Sequence, residues 1–388
     1  MSTDVARAPL FIGIMSGTSC DGIDVAIVRM AGRAKIVHFC EYPLPAELHE
    51  PLLRLAAPGI NEIDTMGELD VLLGQAFADA VLKSIAAAGL QGADIAAIGC
   101  HGQTIRHRPR VRHPFTLQIG NAAALAEKTG ITVVSDFRSR DMAADGEGAP
   151  LVPFAHRQLF ASATQNTAVL NIGGIANITW LGKDGETTGF DCGPGNMLMD
   201  ALMLELSDGR NGYDTNGELA ATGNICEALL EALMQHPFLQ RRPPKSTGRE
   251  EFGSNILAKI TAWPQLSDAD RMATTAAFTV RCIADSVQFL AGKPQRWLIC
   301  GGGARNRHLL ASIKAQFAPA SVATTDETGI PAQAVEAVSF AILAYQTLRG
   351  QHNTLSTVTG AKHDVCGGII TPGDNWSQLL QHIPTWTR

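Results

Sequence analysis

Phe11-Ile-Gly-Ile-Met-Ser-Gly-Thr-Ser-Cys-Asp-Gly-Ile-Asp-Val-Ala-Ile-Val28 places two apolar, β-rich runs on either side of a short polar turn. That pattern predicts a β-hairpin. The turn residues Ser16, Gly17, Thr18, Ser19, Asp21 and Gly22 carry more polar groups than a connector needs. Glycines let backbone approach a ligand closely, and successive N–H groups in a turn form a concavity that binds anions. The turn therefore reads as a phosphate cradle, with an ordinary hairpin turn as the alternative. It is not a Walker loop, because no G-x-x-x-x-G-K-[ST] occurs in the chain.

The same layout returns at Thr167-Ala-Val-Leu-Asn-Ile-Gly-Gly-Ile-Ala-Asn-Ile-Thr-Trp-Leu181, again strand, glycine turn, strand. Gly189-Phe-Asp-Cys-Gly-Pro-Gly-Asn196 follows, placing Asp191 at a strand-to-loop junction before a helix over 197–206. Trp297-Leu-Ile-Cys-Gly-Gly-Gly-Ala-Arg-Asn306 then reads as strand, triple glycine, helix, which puts bare backbone at a helix N-terminus and suits an anion or a nucleotide edge. Between the hairpins, a short strand over 94–100 runs into Cys100-His-Gly-Gln-Thr-Ile-Arg-His-Arg-Pro109. A polar cluster beyond the carboxyl end of a strand is where α/β sheets place ligand groups.

With 388 residues the chain has room for two domains at about 150 residues each. A net charge of −6 points away from nucleic acid and anionic membranes as partners. Eight scattered cysteines without a C-x-x-C pair suit a reducing compartment. No apolar run approaches the ~18 residues of a membrane span, and the start lacks a signal-peptide core, so a cytoplasmic protein is expected. A lobe boundary is expected near 150–166, giving lobes of 1–155 and 156–388 with a tail that packs back on the first. Pro237–Gly253 is the one loop of linker-like composition, and its basic run reads as solvated surface or an approach to phosphate.

Eight ordered motifs resemble the anhydro-N-acetylmuramic acid kinase family. They are Ile14-Met-Ser-Gly-Thr-Ser-x-Asp-Gly22, His101-Gly-Gln-Thr104, Ser135-Asp-Phe-Arg138, Gly146-x-Gly-Ala-Pro-Leu-Val-Pro153, Asn171-Ile-Gly-Gly-Ile-Ala-Asn177, Asp191-x-Gly-Pro-Gly-Asn196, Pro243-Pro-Lys-Ser-Thr-Gly-Arg-Glu250 and Gly301-Gly-Gly-Ala-Arg-Asn306. The resemblance implies an α/β, two-lobed actin-like ATPase (ribonuclease H-like) fold, with ATP in the interlobe cleft. It implies opening of the 1,6-anhydro ring of anhydro-N-acetylmuramic acid with phosphate placed on O6, in recycling of cell-wall fragments.

Roles follow from that resemblance. Gly17, Thr18, Ser19 and Gly22 are expected to hold the β/γ-phosphates, within a nucleotide-contacting run that includes Cys20, Ile23 and Asp24. Gly173 and Gly174 serve the same ligand, and Gly301, Gly302, Gly303 and Asn306 back the adenosine. Asp21 is the expected Mg²⁺ ligand, with a turn-forming role as the alternative. The anhydro sugar has no free O6 hydroxyl, so water must attack the anomeric carbon, and the family pattern puts the base for that water on Asp191. Sugar contacts are expected from His101, Gln103, Thr104, Asp136 and Arg138, with Glu336 matching a family glutamate. Asp145 and Glu147 depart from the family's usual Gly and Gln, and added charge pointing inward is expected to weaken or shift substrate binding. The partner is a small amino sugar, and the sequence leaves open whether the protein is a homodimer. Two rival readings stand beside this one: a kinase of the same fold for another sugar or carboxylic acid, and a nucleotide-switched protein without catalysis.

Overall fold

The computed structural model describes residues 8–17, 20 and 22–386. Its strands up to residue 135 are β1 (Leu10–Met15), β2 (Gly22–Ala31), β3 (Arg33–Pro43), β4 (Ile95–Cys100), β5 (Gln103–Arg108), β6 (Phe115–Ile119) and β7 (Val133–Ser135). β1 and β2 form the antiparallel hairpin expected from the opening stretch, with Leu10 opposite Arg29 and Met15 opposite Asp24. β3 extends it antiparallel on one side, and β4 and β7 add in parallel on the other. A short strand, Ile369–Thr371, closes the β7 edge, while β5 and β6 form a separate hairpin.

The second sheet contains β8 (Thr167–Ile172), β9 (Ile175–Leu181), β10 (Thr187–Pro194), β11 (Arg296–Cys300) and β12 (Ser321–Thr324). Its order, β10-β9-β8-β11-β12, matches β3-β2-β1-β4-β7 strand for strand. In each sheet the first three strands form an antiparallel meander, and the last two join in parallel beside the first. The hairpin similarity visible as layout in the sequence is thus a duplicated topology.

The compact units do not divide the chain at one point. One runs to Leu159 and resumes at Ala334; the other is Phe160–Gln333. The expected lobe of 156–388 thus differs from the second unit at its far end, where everything from Ala334, including the tail expected to pack back, groups with the first unit. The reason lies in two glycines on adjacent strands. A Cβ on Gly13 would overlap the Ala337 carbonyl oxygen, and one on Gly99 the Phe340 carbonyl oxygen. Helix Val335–Leu348 thus lies flush on β1 and β4, with the small faces of Ala337, Ala341 and Ala344 all buried. The core that joins helix Glu62–Ala87 to this sheet contains Leu73, Phe77 and Val81 with Ile12, Val25 and Ile98. β1 is thereby covered on both faces, which explains its unbroken apolar run.

The linker-like segment 237–253 is also corrected. Phe238, Leu239, Lys245 and Phe252 are all buried, so this stretch is packed structure in the second unit.

Candidate active site

In the first unit, β4 delivers His101 at its carboxyl end, where the His101 N–H donates to the Ile14 carbonyl at 3.2 Å. Gly102 follows with φ +76°, and a Cβ there would press on the Ile119 carbonyl, so the turn into β5 needs glycine. The His101 ring is buried against Phe340, with centroids 4.6 Å apart. Its Nδ1 lies 2.7 Å from the Gly102 carbonyl and Nε2 lies 2.8 Å from Nη2 of Arg138. A carbonyl can only accept, so Nδ1 carries the proton and Nε2 accepts from the guanidinium. Burial, reinforced by the Arg138 charge, lowers the His101 pKa to about 3. A ring held neutral in this way has no proton to give as an acid at neutral pH, and both nitrogens already have partners.

Arg138 also donates from Nη1 to the Gly148 carbonyl at 2.8 Å. That loop is organised by Asp141, which sequence reasoning passed over. Asp141 is fully buried and accepts the Gly148 N–H at 2.9 Å and the Thr359 hydroxyl at 2.8 Å. Burial raises its pKa, against the pull of these bonds. Gly146 packs so closely on Asp141 that a Cβ would collide with the carboxylate.

A cavity of about 230 Å³ in this unit is lined by Asp70, His101, Gly120, Asn121 and Asp136, among others. Asp70 accepts the Gly120 N–H and the Asn121 side-chain amide, each at 2.7 Å. Asn121 in turn caps helix Ala122–Thr129 by accepting the Ala124 N–H at 2.8 Å. Asp136 adopts φ +48° and accepts the Ser139 N–H at 3.1 Å. No motif pointed to Asp70 or Asn121; the signal available was an Asn immediately before an Ala-rich helix.

The remaining sugar candidates divide. Gln103 is buried and accepts the Ser16 hydroxyl at 2.8 Å, tying the first hairpin turn to β5. Thr104 accepts from the Gln118 amide at 3.3 Å. Glu336 lies in the first turn of helix Val335–Leu348, one turn before the Phe340 that covers His101. Asp145 and Glu147 face cations: Asp145 pairs with Lys362 at 2.5 Å with both largely exposed, and Glu147 pairs with Arg110 at 3.0 Å.

Of the first cradle, Thr18, Ser19 and Asp21 lie outside the described residues. Gly17 accepts the Cys20 N–H at 3.1 Å, and Cys20 has φ +56°. Cys20 and Ile23 are buried core side chains, which leaves only their backbone for a ligand. Gly22 and Asp24 open β2, where Asp24 stands opposite Met15 and Glu41.

The second unit gathers its candidates tightly. Gly173 and Gly174 form the β8–β9 turn, and their carbonyls accept the N–H groups of Asn196 and Gly195, each at 2.8 Å. Gly301 has φ +79°, and an added Cβ would overlap Asn171; on Gly303 it would overlap Ile172. The triple glycine is therefore set by close backbone packing against the hairpin. The Asn306 side chain accepts the Leu309 N–H at 3.0 Å, capping helix Arg307–Phe317, and Gly217 abuts it.

Asp191 sits on β10 at a register shift between Asp191 and Gly193. Such bulges re-aim a side chain at sheet edges and active sites. Its N–H donates to the Lys245 carbonyl at 3.1 Å, and its Oδ2 accepts the Thr247 N–H at 2.9 Å. Thr247 and Lys245 are the partners that sequence reasoning left on the surface.

Two units repeating one strand order, each with a glycine hairpin on its first two strands, define a duplicated α/β fold. Comparison with known proteins narrows this. The profile of the anhydro-N-acetylmuramic acid kinase family matches residues 9–373, and the chain belongs to that family. It is 45% identical over 370 residues to the anhydro-N-acetylmuramic acid kinase of Coxiella burnetii (strain Dugway 5J108-111), covering 95% of this chain and 98% of that one. It is 43% identical over 366 residues to the enzyme of the same name from Actinobacillus pleuropneumoniae serotype 5b (strain L20), covering 94% and 99%. The chain is thus a phosphotransferase with an alcohol acceptor, in a family whose role is peptidoglycan recycling. Among the described residues no helix is long and apolar enough to cross a membrane.

Proposed function

We propose that this kinase opens the 1,6-anhydro ring of anhydro-N-acetylmuramic acid with water while O6 receives the γ-phosphoryl group of ATP. Water adds to the anomeric carbon, the bond from that carbon to O6 breaks, and O6 takes the phosphoryl group as ADP leaves. Asp191 takes the proton from water. The observation that carries this reading is the anchoring of Asp191 at a β-bulge, with Oδ2 held by the Thr247 N–H. A base fixed through one oxygen is oriented before substrate arrives.

In the second unit, the Gly173–Gly174 turn and the Gly301–Gly303 segment supply the backbone for nucleotide phosphates and adenosine. In the first unit, Gly17 and Gly22 serve phosphate, and the cavity beside His101 and Asp136 receives sugar. His101 acts as a neutral ring that holds Arg138, with Gln103, Thr104 and Glu336 completing the sugar contacts. Mg²⁺ keeps several waters and takes one or two carboxylates plus phosphate oxygens, so it needs no protein cage. When bound, the ion neutralises phosphate charge; Asp21 is its proposed protein contact.

The test is turnover with Mg-ATP and the anhydro sugar in oxygen-18-labelled water. Label at the anomeric carbon, with ADP and sugar phosphate formed in equal amounts, is the expected result. Label in the transferred phosphate, or Asp191→Asn working at the wild-type rate, removes the proposed chemistry.

A further inference from the structure

Lys245 is buried, with 2% of its surface exposed. Its Nζ stands 4.7 Å from the ring centre of Phe238, 4.9 Å from Phe289 and 5.8 Å from Phe190. Among the described residues no hydrogen-bond acceptor reaches it. Burying an ammonium without a hydrogen-bonded partner is strongly unfavourable, and aromatic faces offset only part of that. A methionine of similar length would fill the same box without the penalty. A charge kept where an apolar side chain would be more stable is the signature of a functional position.

What the lysine is coupled to follows from its neighbours. Its own carbonyl accepts the Asp191 N–H, and two residues on, Thr247 donates its N–H to the Asp191 carboxylate. Phe190, one wall of the box, immediately precedes Asp191 on β10. The segment is held from the far side as well, since the Thr247 hydroxyl donates to Glu251 at 2.7 Å and Glu251 pairs with Arg241.

We propose that Lys245 is a positioning residue for Asp191: its boxed ammonium pins residues 245–247 against the bulge and sets a fixed positive charge near the carboxylate. The proposal rests on Asp191 being the base for water. Burial lowers the Lys245 pKa, and the charges of Cys192, Cys282 and Asp191 oppose that shift while Arg241 adds to it. Burial pushes the Cys192 thiol up to about 12 and the Cys282 thiol well above its ordinary value. Neither thiol ionises in the working range, so a moving acid limb reports the Asp191–Lys245 pair, with the Arg241–Glu251 pair unchanged beside it.

The experiment compares Lys245→Met and Lys245→Arg with wild type for kcat, both KM values, the acid limb of the kcat–pH profile and melting temperature. Lys245→Met is expected to melt at or above the wild-type temperature and to lose about tenfold in kcat with KM values nearly unchanged. Its acid limb is expected to rise by about one pH unit, because a carboxylate without its cation ionises less readily. Lys245→Arg should keep the limb in place. Wild-type kcat and limb in Lys245→Met overturn the proposal. Should Lys245→Met not fold, carbon-13 NMR of the lysine ε-carbons in Asp191→Asn gives the reciprocal reading: the Lys245 pKa falls when the carboxylate is lost. An unmoved Lys245 resonance there overturns it. A fully active Asp191→Asn would instead remove the base itself, whereas an inactive one beside an unperturbed Lys245→Met removes only the positioning role.

Discussion

Nη2 of Arg138 lies 2.8 Å from Nε2 of His101, and the opposite nitrogen of that ring lies 2.7 Å from the Gly102 carbonyl. The imidazole is therefore held in one tautomer, neutral, between an obligate donor and an obligate acceptor. Burial and the neighbouring guanidinium bring its pKa to about 3, and burial alone does the same for His156. A depressed histidine takes up its proton only on unfolding, so the unfolded chain binds more protons below its ordinary value near 6.5. Stability is complete above that value and falls as the pH drops through it towards 3. Between pH 7.5 and 5.5 the expected loss is about 1 kcal/mol per histidine, on the order of a one-unit gap below the unfolded value. Urea unfolding at the two pH values measures it, and proton NMR should show that the His101 and His156 ring signals do not titrate between pH 5 and 8.

Gly13 and Gly99 predict a sharper outcome. Either alanine variant drives a methyl group into a carbonyl of helix Val335–Leu348, which must lift from the sheet. The expected cost is about 3 kcal/mol or more, since both partners are backbone. Gly32→Ala provides the contrast. Its φ is +65° but nothing lies within reach of the new methyl group, so the cost should stay near 1 kcal/mol, the strain of a left-handed alanine. Denaturant midpoints of the three variants test the ranking, and equal midpoints would show that the helix does not bear on the sheet as described.

These glycines also show what the sequence could and could not carry. The opening hairpin was legible because its alternation and turn chemistry are local, and the second hairpin because it repeats that layout. The return of helix Val335–Leu348 to the first unit was not, because a glycine in a buried strand does not say which backbone it admits. Lys245 illustrates the same limit. Flanked by prolines and arginines it has the composition of a solvated loop, and only the packing of Phe190, Phe238 and Phe289, distant in sequence, makes it interior. The motif singles out Asp191 as a candidate, while the N–H that its carboxylate accepts comes from a residue 56 positions away.

The charged departures in the 144–148 loop should matter little for substrate. Asp145 and Lys362 are both mostly exposed, and such pairs contribute about 0–1 kcal/mol. Asp145 also adopts φ +67°, a conformation glycine takes without strain. Asp145→Gly is expected to leave KM for the sugar within about twofold, the scale of a solvated charge, and to leave stability unchanged or slightly higher. Glu147→Gln should likewise keep kcat, because its carboxylate is engaged by Arg110. Steady-state kinetics at low and moderate salt check both. A large drop in KM on removing either charge would show that it bears on the anionic substrate after all.

Asp141 is the residue whose loss should separate sugar binding from nucleotide binding. Its carboxylate holds the Gly148 N–H, the Gly148 carbonyl holds Nη1 of Arg138, and Arg138 holds His101. Asp141→Asn replaces one acceptor oxygen with an NH₂ group: facing the Gly148 N–H it sets two donors against each other, and facing Thr359 it forces that hydroxyl to accept and to turn its proton to the Leu355 carbonyl, 3.4 Å away. That mismatch is expected to cost about 2 kcal/mol locally. The strain falls on the loop that fixes Arg138, within the first unit, whereas the glycine turns assigned to the nucleotide belong to the second. KM for the anhydro sugar should therefore rise about tenfold or more, by the conversion of roughly 1.4 kcal/mol per decade, while KM for ATP stays nearly constant. Parallel rises in both constants would show a general loss of folded protein instead, and an unchanged sugar KM would remove the Asp141–Gly148–Arg138–His101 chain from substrate recognition.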